Sequence, residues 1–358
     1  MARLPAVAIN ALTAVISICL TLLFLEFAVR VVVPQHHFNV LVRTGDRELG
    51  AKHVPLAKGV ILGPEFKTEV AINSKGLRDM EYPYAKPPGT RRILCLGDSY
   101  TFGFGVEADE TFAKVLERLL NAEDGESDHW EVINAGVVHT GTANHLAFFN
   151  VEGYRYEPDF VLLCICGGND FSDNISCGLY SCENGRLVKH DARFSGEDRI
   201  RYVARRLPGY GFFSRRSHLM TFLKLRILGL ATRYSQNRSV RQDPTAASNR
   251  AASELTEQLL LALRESCASR NATLVVTVVP QPLLGTRREM LADLVEFMRL
   301  QGLYYVNLFP RLGETFNAQA SYQYPYYYPM DHHWTVRGHQ LTAEVLCEFF
   351  AHSSVLSR

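Results

Sequence analysis

One serine follows a short apolar run and stands between two glycines. Residues 93–96 are wholly apolar and lead into Gly97, Asp98 and Ser99, and Gly103 follows four residues later. Such a run is typical of a buried parallel strand, and the glycines permit a sharp turn into a helix N-terminus. Backbone N–H groups there can face a developing anion, so Ser99 is a candidate nucleophile. The same residue types also form ordinary polar turns, so this stretch alone does not decide the chemistry.

A second group of reactive side chains lies near the C-terminus, where Asp331, His332 and His333 precede Trp334. A serine hydroxyl needs a neutral imidazole to accept its proton, and a carboxylate orients that imidazole and stabilises its charged form. Asp331 and His333 can supply both groups from one loop, with His332 as the alternative base. The two histidines make a poor metal site, because neighbouring side chains seldom converge on one ion, and we expect no metal or other cofactor.

Short apolar runs alternate with helical patterns over most of the chain. The predicted strands are residues 92–96, 131–134, 160–166, 273–279 and 304–308, and the predicted helices include residues 110–121, 143–154, 251–268 and 289–300. This order predicts an α/β fold with a doubly wound five-stranded parallel sheet and helices on both faces. Ligands of such sheets bind beyond the carboxyl ends of the strands. Ser99, Gly136 and Asn169 each follow a strand end.

Four sequence blocks resemble those of the SGNH hydrolases, also called GDSL esterases/lipases. In chain order they are Gly97-Asp98-Ser99-Tyr100-Thr101-Phe102-Gly103, Asn134-Ala135-Gly136, Gly167-Gly168-Asn169-Asp170 and Asp331-His332-His333-Trp334. A single block would be weak, but four in the right order are specific. The resemblance covers roughly residues 70–350, without most of an Arg-rich insertion, and implies a flavodoxin-like SGNH hydrolase fold.

The resemblance also implies a role for each matching position. Ser99 would be the nucleophile, and its own N–H would form an oxyanion hole with the Gly136 N–H and the Asn169 side-chain amide. His333 would be the general base and Asp331 its orienting acid. One departure is that the acid most often stands three residues before the histidine in this family, whereas Asp331 precedes His333 by two.

Four further polar residues have expected local roles. Asp98 and Asp170 are expected to hold turns through hydrogen bonds from their side chains to the backbone. Cys177 and Cys182 flank a short Gly-containing turn, and they are either bridged by a local disulfide or both reduced. The remaining cysteines follow no metal-binding pattern.

Residues 4–33 are almost wholly apolar, with no charge before Glu26, which is about the length that crosses a bilayer as a helix. A cleaved signal peptide is the alternative. The stretch is longer than a typical signal-peptide core, however, and no clear cleavage site follows it. We therefore expect a membrane anchor, with the catalytic domain on the extracytoplasmic side, periplasmic or extracellular.

The rest of the chain divides by composition. We expect an anchor at residues 1–33, an irregular lead-in with short strands at 34–90, a hydrolase core at 91–177 and 251–358, and an Arg-rich insertion at 178–250. The insertion would be a helical cap over the sheet, a basic surface against anionic lipid, or a solvated helical excursion. Lys plus Arg number 38 against 37 Asp plus Glu, so no nucleic-acid partner is expected.

These features predict a serine hydrolase of carboxylic esters that works through an acyl-Ser99 intermediate. Its substrate would be a small-molecule, lipid or glycan ester, for instance an acetylated glycan. An O-acyltransferase of cell-envelope polysaccharide is the first alternative. An inactive glycan-binding module is the second, and the intact Ser, Gly, Asn and His set argues against it. A nucleotide-binding domain is disfavoured, because no GxGxxG follows the first strand and no P-loop lysine is present.

Overall fold

The chain divides into two compact units. The first comprises residues 1–40 and 200–243, and the second comprises residues 41–199 and 244–358. The computed structural model describes residues 6–33, 43–123, 129–183, 185–193, 203, 206–210, 216–223, 226, 246–281, 286–313 and 325–352.

The first unit contains a long apolar helix, α1 (Ala6–Val32). Its segment Ala8–Val32 has a mean hydropathy of 2.4 and is long and apolar enough to cross a membrane, a property that signal sequences share. The Glu26 carboxylate accepts hydrogen bonds from the Ser217 hydroxyl at 2.7 Å and from the His218 and Leu219 N–H groups at 2.9 Å. It thereby satisfies backbone donors at the start of a helical turn, residues 218–223.

A basic residue of α1 makes a second contact in this unit. Arg30 pairs with Glu26 at 2.9 Å and donates to the Arg216 carbonyl at 3.0 Å. Part of the predicted Arg-rich insertion is therefore hydrogen-bonded to the apolar helix. Most arginines of the insertion lie outside the described residues: Arg199, Arg201, Arg205, Arg215, Arg233, Arg238 and Arg241.

The second unit begins with two antiparallel hairpins, where the sequence suggested an irregular lead-in with a strand or two. They pair β1 (Arg43–Asp46) with β2 (Gly50–His53) and β3 (Lys58–Leu62) with β4 (Lys67–Ala71). The first turn closes because the Asp46 side chain accepts from the Glu48 N–H at 2.9 Å and the Leu49 N–H at 3.0 Å.

Five parallel strands form the main sheet of this unit. The remaining strands in chain order are β5 (Thr90–Gly97), β6 (His129–Asn134), β7 (Phe160–Ile165), β8 (Tyr180–Glu183), β9 (Arg186–Lys189), β10 (Thr273–Val278) and β11 (Tyr304–Val306). The spatial order of the sheet is β6-β5-β7-β10-β11, and β8 and β9 form a separate hairpin. The chain proceeds from β5 to one side and then to the other, so the crevice at the carboxyl end of β5 is the expected ligand site.

Helices cover both faces of the sheet. Among the described residues of the second unit, the helices are α2 (Ser99–Phe102), α3 (Phe112–Glu123), α4 (Thr142–Val151), α5 (Asp170–Ser176), α6 (Ala246–Ala268), α7 (Thr286–Leu300), α8 (Phe309–Leu312) and α9 (Val336–His352). Short 3-10 turns stand at Ala108–Glu110 and Gly153–Tyr156. Helix α6 begins five residues before the predicted start at residue 251.

Alternate side chains of β5 enter two separate cores. Leu94 and Leu96 pack with residues of α4, α6 and α7, whereas Ile93 and Cys95 pack with residues of α3 and α9. All four side chains are completely buried. Burial of a large aliphatic side chain stabilises the folded state by about 1.5–3 kcal/mol. The predicted doubly wound parallel sheet is therefore confirmed.

The cysteines contribute to packing and form no cross-link. All eight are free thiols, including Cys177 and Cys182. Cys177 and Cys182 are therefore both reduced in the structure and are not bridged by a local disulfide. Cys95, Cys164 and Cys166 are buried in the sheet as small apolar side chains.

Candidate active site

Ser99 is the first residue of α2, two residues after the end of β5, and is half-buried. The preceding Asp98 accepts a hydrogen bond from the Tyr100 N–H at 2.9 Å, which caps this short helix. Gly103 ends it with a left-handed φ of 81°, and its N–H donates to the Ser99 carbonyl at 3.1 Å. The strand end and the two caps fix the position of the serine.

A buried arginine from the lead-in supports the same turn. The Arg78 guanidinium donates to the carbonyls of Phe102 at 3.0 Å, Gly103 at 2.6 Å and Val106 at 2.7 Å. These bonds satisfy carbonyls that the four-residue helix leaves without helical partners. The sequence alone predicts no role for Arg78. The only signal was its place in the turn of residues 73–78, at the edge of the region that resembles the family.

Ser99, His333 and Asp331 lie in one hydrogen-bonded row. The distance from Ser99 Oγ to His333 Nε2 is 2.8 Å, and that from His333 Nδ1 to Asp331 Oδ1 is 2.6 Å. The serine and the imidazole are within the range for proton transfer, and the carboxylate is placed to hold the Nδ1–H tautomer.

The conformation of His332 explains how an acid and a histidine only two residues apart can meet. His332 has a φ of 75°, in the left-handed region that non-glycine residues rarely adopt. Its side chain is exposed, and the imidazole that bonds Ser99 Oγ is that of His333. The reversal at His332 folds the loop so that Asp331 and His333 face each other.

The lead-in also holds the Asp331 loop. Glu65, in the turn between β3 and β4, accepts hydrogen bonds from the Met330 N–H at 2.8 Å and the Asp331 N–H at 2.9 Å. The Tyr328 hydroxyl donates to the Gly105 carbonyl at 3.0 Å. These contacts join residues far apart in the chain, and no sequence block pointed to Glu65.

Gly136 lies just beyond β6, where the backbone passes very close to α2. A Cβ atom at this position would stand 2.3 Å from the Phe102 nitrogen, so only glycine fits. The Gly136 N–H donates to the Asn134 side-chain oxygen at 3.0 Å. This predicted oxyanion donor therefore already has an acceptor within the protein.

Asn169 lies beyond β7 as the N-cap residue of α5. Its side-chain nitrogen donates to Asp173 Oδ2 at 2.7 Å. Burial raises the pKa of the nearby Asp98 carboxyl, and the Asn169 amide opposes that rise. The amide of Asn169 is thus directed at carboxyl groups of the protein.

Two buried carboxyl groups accompany these donors. Asp98 and Asp170 are 2% and 0% exposed, and burial raises the pKa of both, that of Asp170 well above its usual range. Asp98 makes the expected bond to the backbone. For Asp170 the expectation stays a prediction: the Cys166 backbone opposes the rise in its pKa, but neither carboxyl oxygen has a partner at ordinary hydrogen-bond geometry among the described residues.

Three other histidines of the second unit are buried packing residues. Burial lowers the pKa of His53 and His145 to about 4 and that of His339 to about 3. His339 Nδ1 accepts from the Phe112 N–H at 3.1 Å, which fixes the start of α3 against α9. Within the described part of the chain, no three His, Cys, Asp or Glu side chains are grouped to hold a metal ion.

Solved structures similar to this chain are distant in sequence. A lipolytic protein of the G-D-S-L family from Desulfitobacterium hafniense is 11% identical, with a TM-score of 0.39 over 72% of this chain and 98% of that one. Esterase EstA from Pseudoalteromonas is 13% identical, with a TM-score of 0.40 over 73% and 97%. An acetyl-xylooligosaccharide esterase from Geobacillus is 13% identical, with a TM-score of 0.41 over 75% and 97%.

No curated protein matches the chain. The sequence profile of the GDSL-like Lipase/Acylhydrolase family, in contrast, matches residues 95–341, which is more than half of it and spans all four blocks. The chain therefore belongs to the GDSL-like lipase/acylhydrolase family and is a serine ester hydrolase.

Proposed function

We propose that this protein hydrolyses a carboxylic ester through an acyl-Ser99 intermediate, with His333 as general base and Asp331 as its orienting acid. The observation that carries the proposal is the unbroken row of hydrogen bonds from Ser99 through His333 to Asp331, at 2.8 and 2.6 Å. A nucleophile and a base at this separation, with a third group orienting the base, have the arrangement that covalent ester hydrolysis requires.

In the acylation step Ser99 Oγ attacks the ester carbonyl while its proton passes to His333 Nε2. The imidazolium formed is stabilised by the Asp331 carboxylate at Nδ1. His333 then gives the proton to the leaving alcohol, and the acyl group stays on Ser99. In the second step a water molecule loses its proton to His333 and attacks the acyl carbon. His333 then returns the proton to Ser99 Oγ as the bond between Ser99 and the acyl carbon breaks, and the carboxylic acid leaves.

The oxyanion of each tetrahedral intermediate would bind the Ser99 N–H, the Gly136 N–H and the Asn169 amide. Because the Gly136 N–H donates to Asn134, it has to share or transfer its hydrogen when substrate binds, whereas the Asn169 amide has two hydrogens and its bond to Asp173 uses one. Catalytic hydrogen bonds are often long or misaligned in free enzymes and tighten in the complex. The donors then act where negative charge develops.

Aromatic side chains beside the base suggest the kind of substrate. The Phe104 ring lies 4.8 Å from the His333 ring, and Phe66 lies 5.6 Å from Phe104 and 5.1 Å from Tyr328. Such a wall suits the apolar face of a sugar ring or an acyl chain. We therefore place the substrate among glycan acetyl esters and lipid esters. A screen of acyl-chain lengths and acetylated glycans would separate the two.

The proposed location is a membrane, with α1 as an uncleaved anchor and the catalytic unit on the extracytoplasmic side. The support is the length and mean hydropathy of Ala8–Val32. Membrane fractionation, followed by N-terminal sequencing of the mature protein, distinguishes an anchor from a cleaved signal. Protease accessibility of the second unit in intact and permeabilised cells determines its side.

The nucleophile is tested with the full-length protein in detergent and p-nitrophenyl acetate as substrate. Ser99→Ala should lower kcat at least about 10⁴-fold, because the acyl-enzyme can no longer form. Ser269→Ala, the same truncation at the exposed end of α6, should leave kcat unchanged. A fluorophosphonate probe should label the wild type and Ser269→Ala but not Ser99→Ala. Full hydrolysis by Ser99→Ala would overturn the proposal.

A further inference from the structure

Gln281 lies three residues after β10, at the same sheet edge as the candidate site. Strand β10 pairs in parallel with β7, and the Val279 N–H still donates to the Ile165 carbonyl at 2.9 Å. The carboxyl ends of the two strands therefore stand side by side. This brings Gln281 next to the loop of Gly168 and Asn169, more than a hundred residues earlier in the chain.

The oxygen end of the Gln281 side chain holds that loop. Gln281 Oε1 accepts from the Gly168 N–H at 2.9 Å and from the Cys166 thiol at 3.4 Å. A Cβ atom on residue 168 would stand 2.7 Å from this oxygen, so the glycine makes room for the bond. Gly168 directly precedes Asn169, whose amide is a proposed oxyanion donor.

The nitrogen end of the same side chain reaches the loop of the general base. Gln281 Nε2 donates to the Tyr100 hydroxyl at 3.3 Å, and that hydroxyl donates to the His332 carbonyl at 2.8 Å. Tyr100 is 4% exposed, and its ring lies 5.0 Å from the His333 ring and 4.9 Å from Trp334. The residue beside the nucleophile thus contacts both the base and the loop that carries it.

The hydrogen bonds run in one direction along this path. The Gly168 N–H donates to Gln281, Gln281 donates to Tyr100, and Tyr100 donates to His332. Because a glutamine side chain has a carbonyl at one branch and an amide nitrogen at the other, it fits both neighbours in only one orientation. Linked bonds of this kind also strengthen each other.

We propose that Gln281 is a positioning residue that couples the Asn169 loop to the His333 loop through Tyr100. The inference rests on the proposed roles of Asn169 and His333. The oxyanion donor and the base must act on the same tetrahedral carbon, so their separation has to be kept while the acyl group forms and leaves. A misplacement of about 1 Å in such a site costs about 100-fold in rate.

Three variants of the full-length protein test the coupling: Gln281→Met, Tyr100→Phe and the double variant. Methionine keeps the length of glutamine without its polar branches, and phenylalanine keeps the ring against His333. Each single change should lower kcat about 10- to 100-fold with KM within about threefold, because only transition-state geometry is disturbed. The double variant should fall no further than the worse single one, since both cut the same path.

Tyr84→Phe is the matched control. It removes a hydroxyl bonded to Glu152 at 2.9 Å, outside the candidate site, and should leave kcat and KM unchanged. A Gln281→Met enzyme with wild-type kcat, or losses that multiply in the double variant, would overturn the coupling. If Gln281→Met fails to fold, Tyr100→Phe tests the same path through its own kcat and KM.

Ser99→Ala is run alongside these variants to separate this inference from the proposed function. Hydrolysis that survives in Ser99→Ala overturns both. Hydrolysis that depends on Ser99 but is insensitive to Gln281→Met and Tyr100→Phe overturns the coupling alone.

Discussion

The two halves of the candidate site differ in how complete they are without substrate. In the acid–base half, Ser99, His333 and Asp331 already make the contacts that the proposed reaction needs. In the oxyanion half, the Gly136 N–H and the Asn169 amide donate to acceptors of the protein itself. In the proposed mechanism, proton transfer is therefore arranged in advance, whereas the Gly136 donor has to exchange its acceptor when the substrate arrives.

The local chain explains this difference. The acid and the base come from one short loop, which Glu65 holds through two backbone N–H groups. Gly136 and Asn169 come from different strand ends, and each is held by a neighbour within four residues. The buried Gly136 N–H needs an acceptor when no ligand is present, since an unpaired buried group costs about 1–3 kcal/mol. Because the two halves of the site come from different segments of the chain, single substitutions can test each half separately.

The largest expected effect is the loss of the base. His333→Ala should lower kcat for p-nitrophenyl acetate about 10⁵-fold, because it removes the imidazole that bonds Ser99 Oγ. His332→Asn should cost at most about threefold, since its side chain is exposed and asparagine tolerates a positive φ. The opposite ranking in steady-state kinetics would make His332 the base.

The second-largest effect is expected when the charge of the orienting acid, Asp331, is removed. Asp331→Asn keeps the shape of the side chain but no longer favours the Nδ1–H tautomer of His333 or stabilises its imidazolium. We expect kcat to fall about 10³- to 10⁴-fold, with fluorophosphonate labelling slowed in parallel. A loss of less than about tenfold would show that another group orients His333.

The oxyanion half should be less sensitive to a single change. Asn169→Ala should lower kcat about 10²- to 10³-fold with little change in KM, because the amide is needed only where charge develops. Asn307→Ala, the same truncation at an exposed turn, is the control and should leave kcat unchanged. A rise in KM by the same factor as the expected fall in kcat would instead mean that Asn169 binds the ester in its ground state.

Much of the second unit could be predicted from the sequence. The five strands of the sheet were predicted to within a few residues, because continuous apolar runs between helical patterns allow little other than buried parallel strands. Short strands are expected in the lead-in, but the bounds and pairing of the hairpins at residues 43–71 could not be predicted, because strands such as Lys58–Leu62 and Lys67–Ala71 carry charged and small residues without a clear apolar alternation.

The residues that brace the site could not be predicted, for a physical reason. Glu65, Arg78 and Gln281 act on residues 24 to 266 positions away in the chain, mainly through hydrogen bonds to backbone groups. Backbone groups are the same at every residue, so such a contact leaves no mark on the partner's side chain. Residue types and positions already point to Ser99, Asp331 and His333, whereas the oxyanion roles of Gly136 and Asn169 come from the resemblance; all five assignments stay predictions until the variants are measured.

The smallest expected effect is on stability and concerns Asp170, which follows the donor Asn169. The folded protein raises the pKa of this buried carboxyl well above the unfolded value of 3.8. Between these two values the folded state binds more protons than the unfolded state, so the free energy of unfolding falls as pH rises. Above the raised pKa, the free energy of unfolding no longer changes with pH.

Asp170→Asn should remove this pH dependence, because the amide is close in shape to the protonated acid and does not ionise. The melting temperature of the variant should exceed that of the wild type by an amount that grows with pH. In this range each step of one pH unit changes the free energy of unfolding by about 1.4 kcal/mol. For a folded domain of this size, that corresponds to about 2–4 °C in melting temperature. Thermal unfolding between pH 5 and 8, with the exposed Asp191→Asn as control, measures it. A difference that stays constant across this range would mean that Asp170 is ionised throughout, and a fully buried charge would then lie next to Asn169 in the oxyanion half.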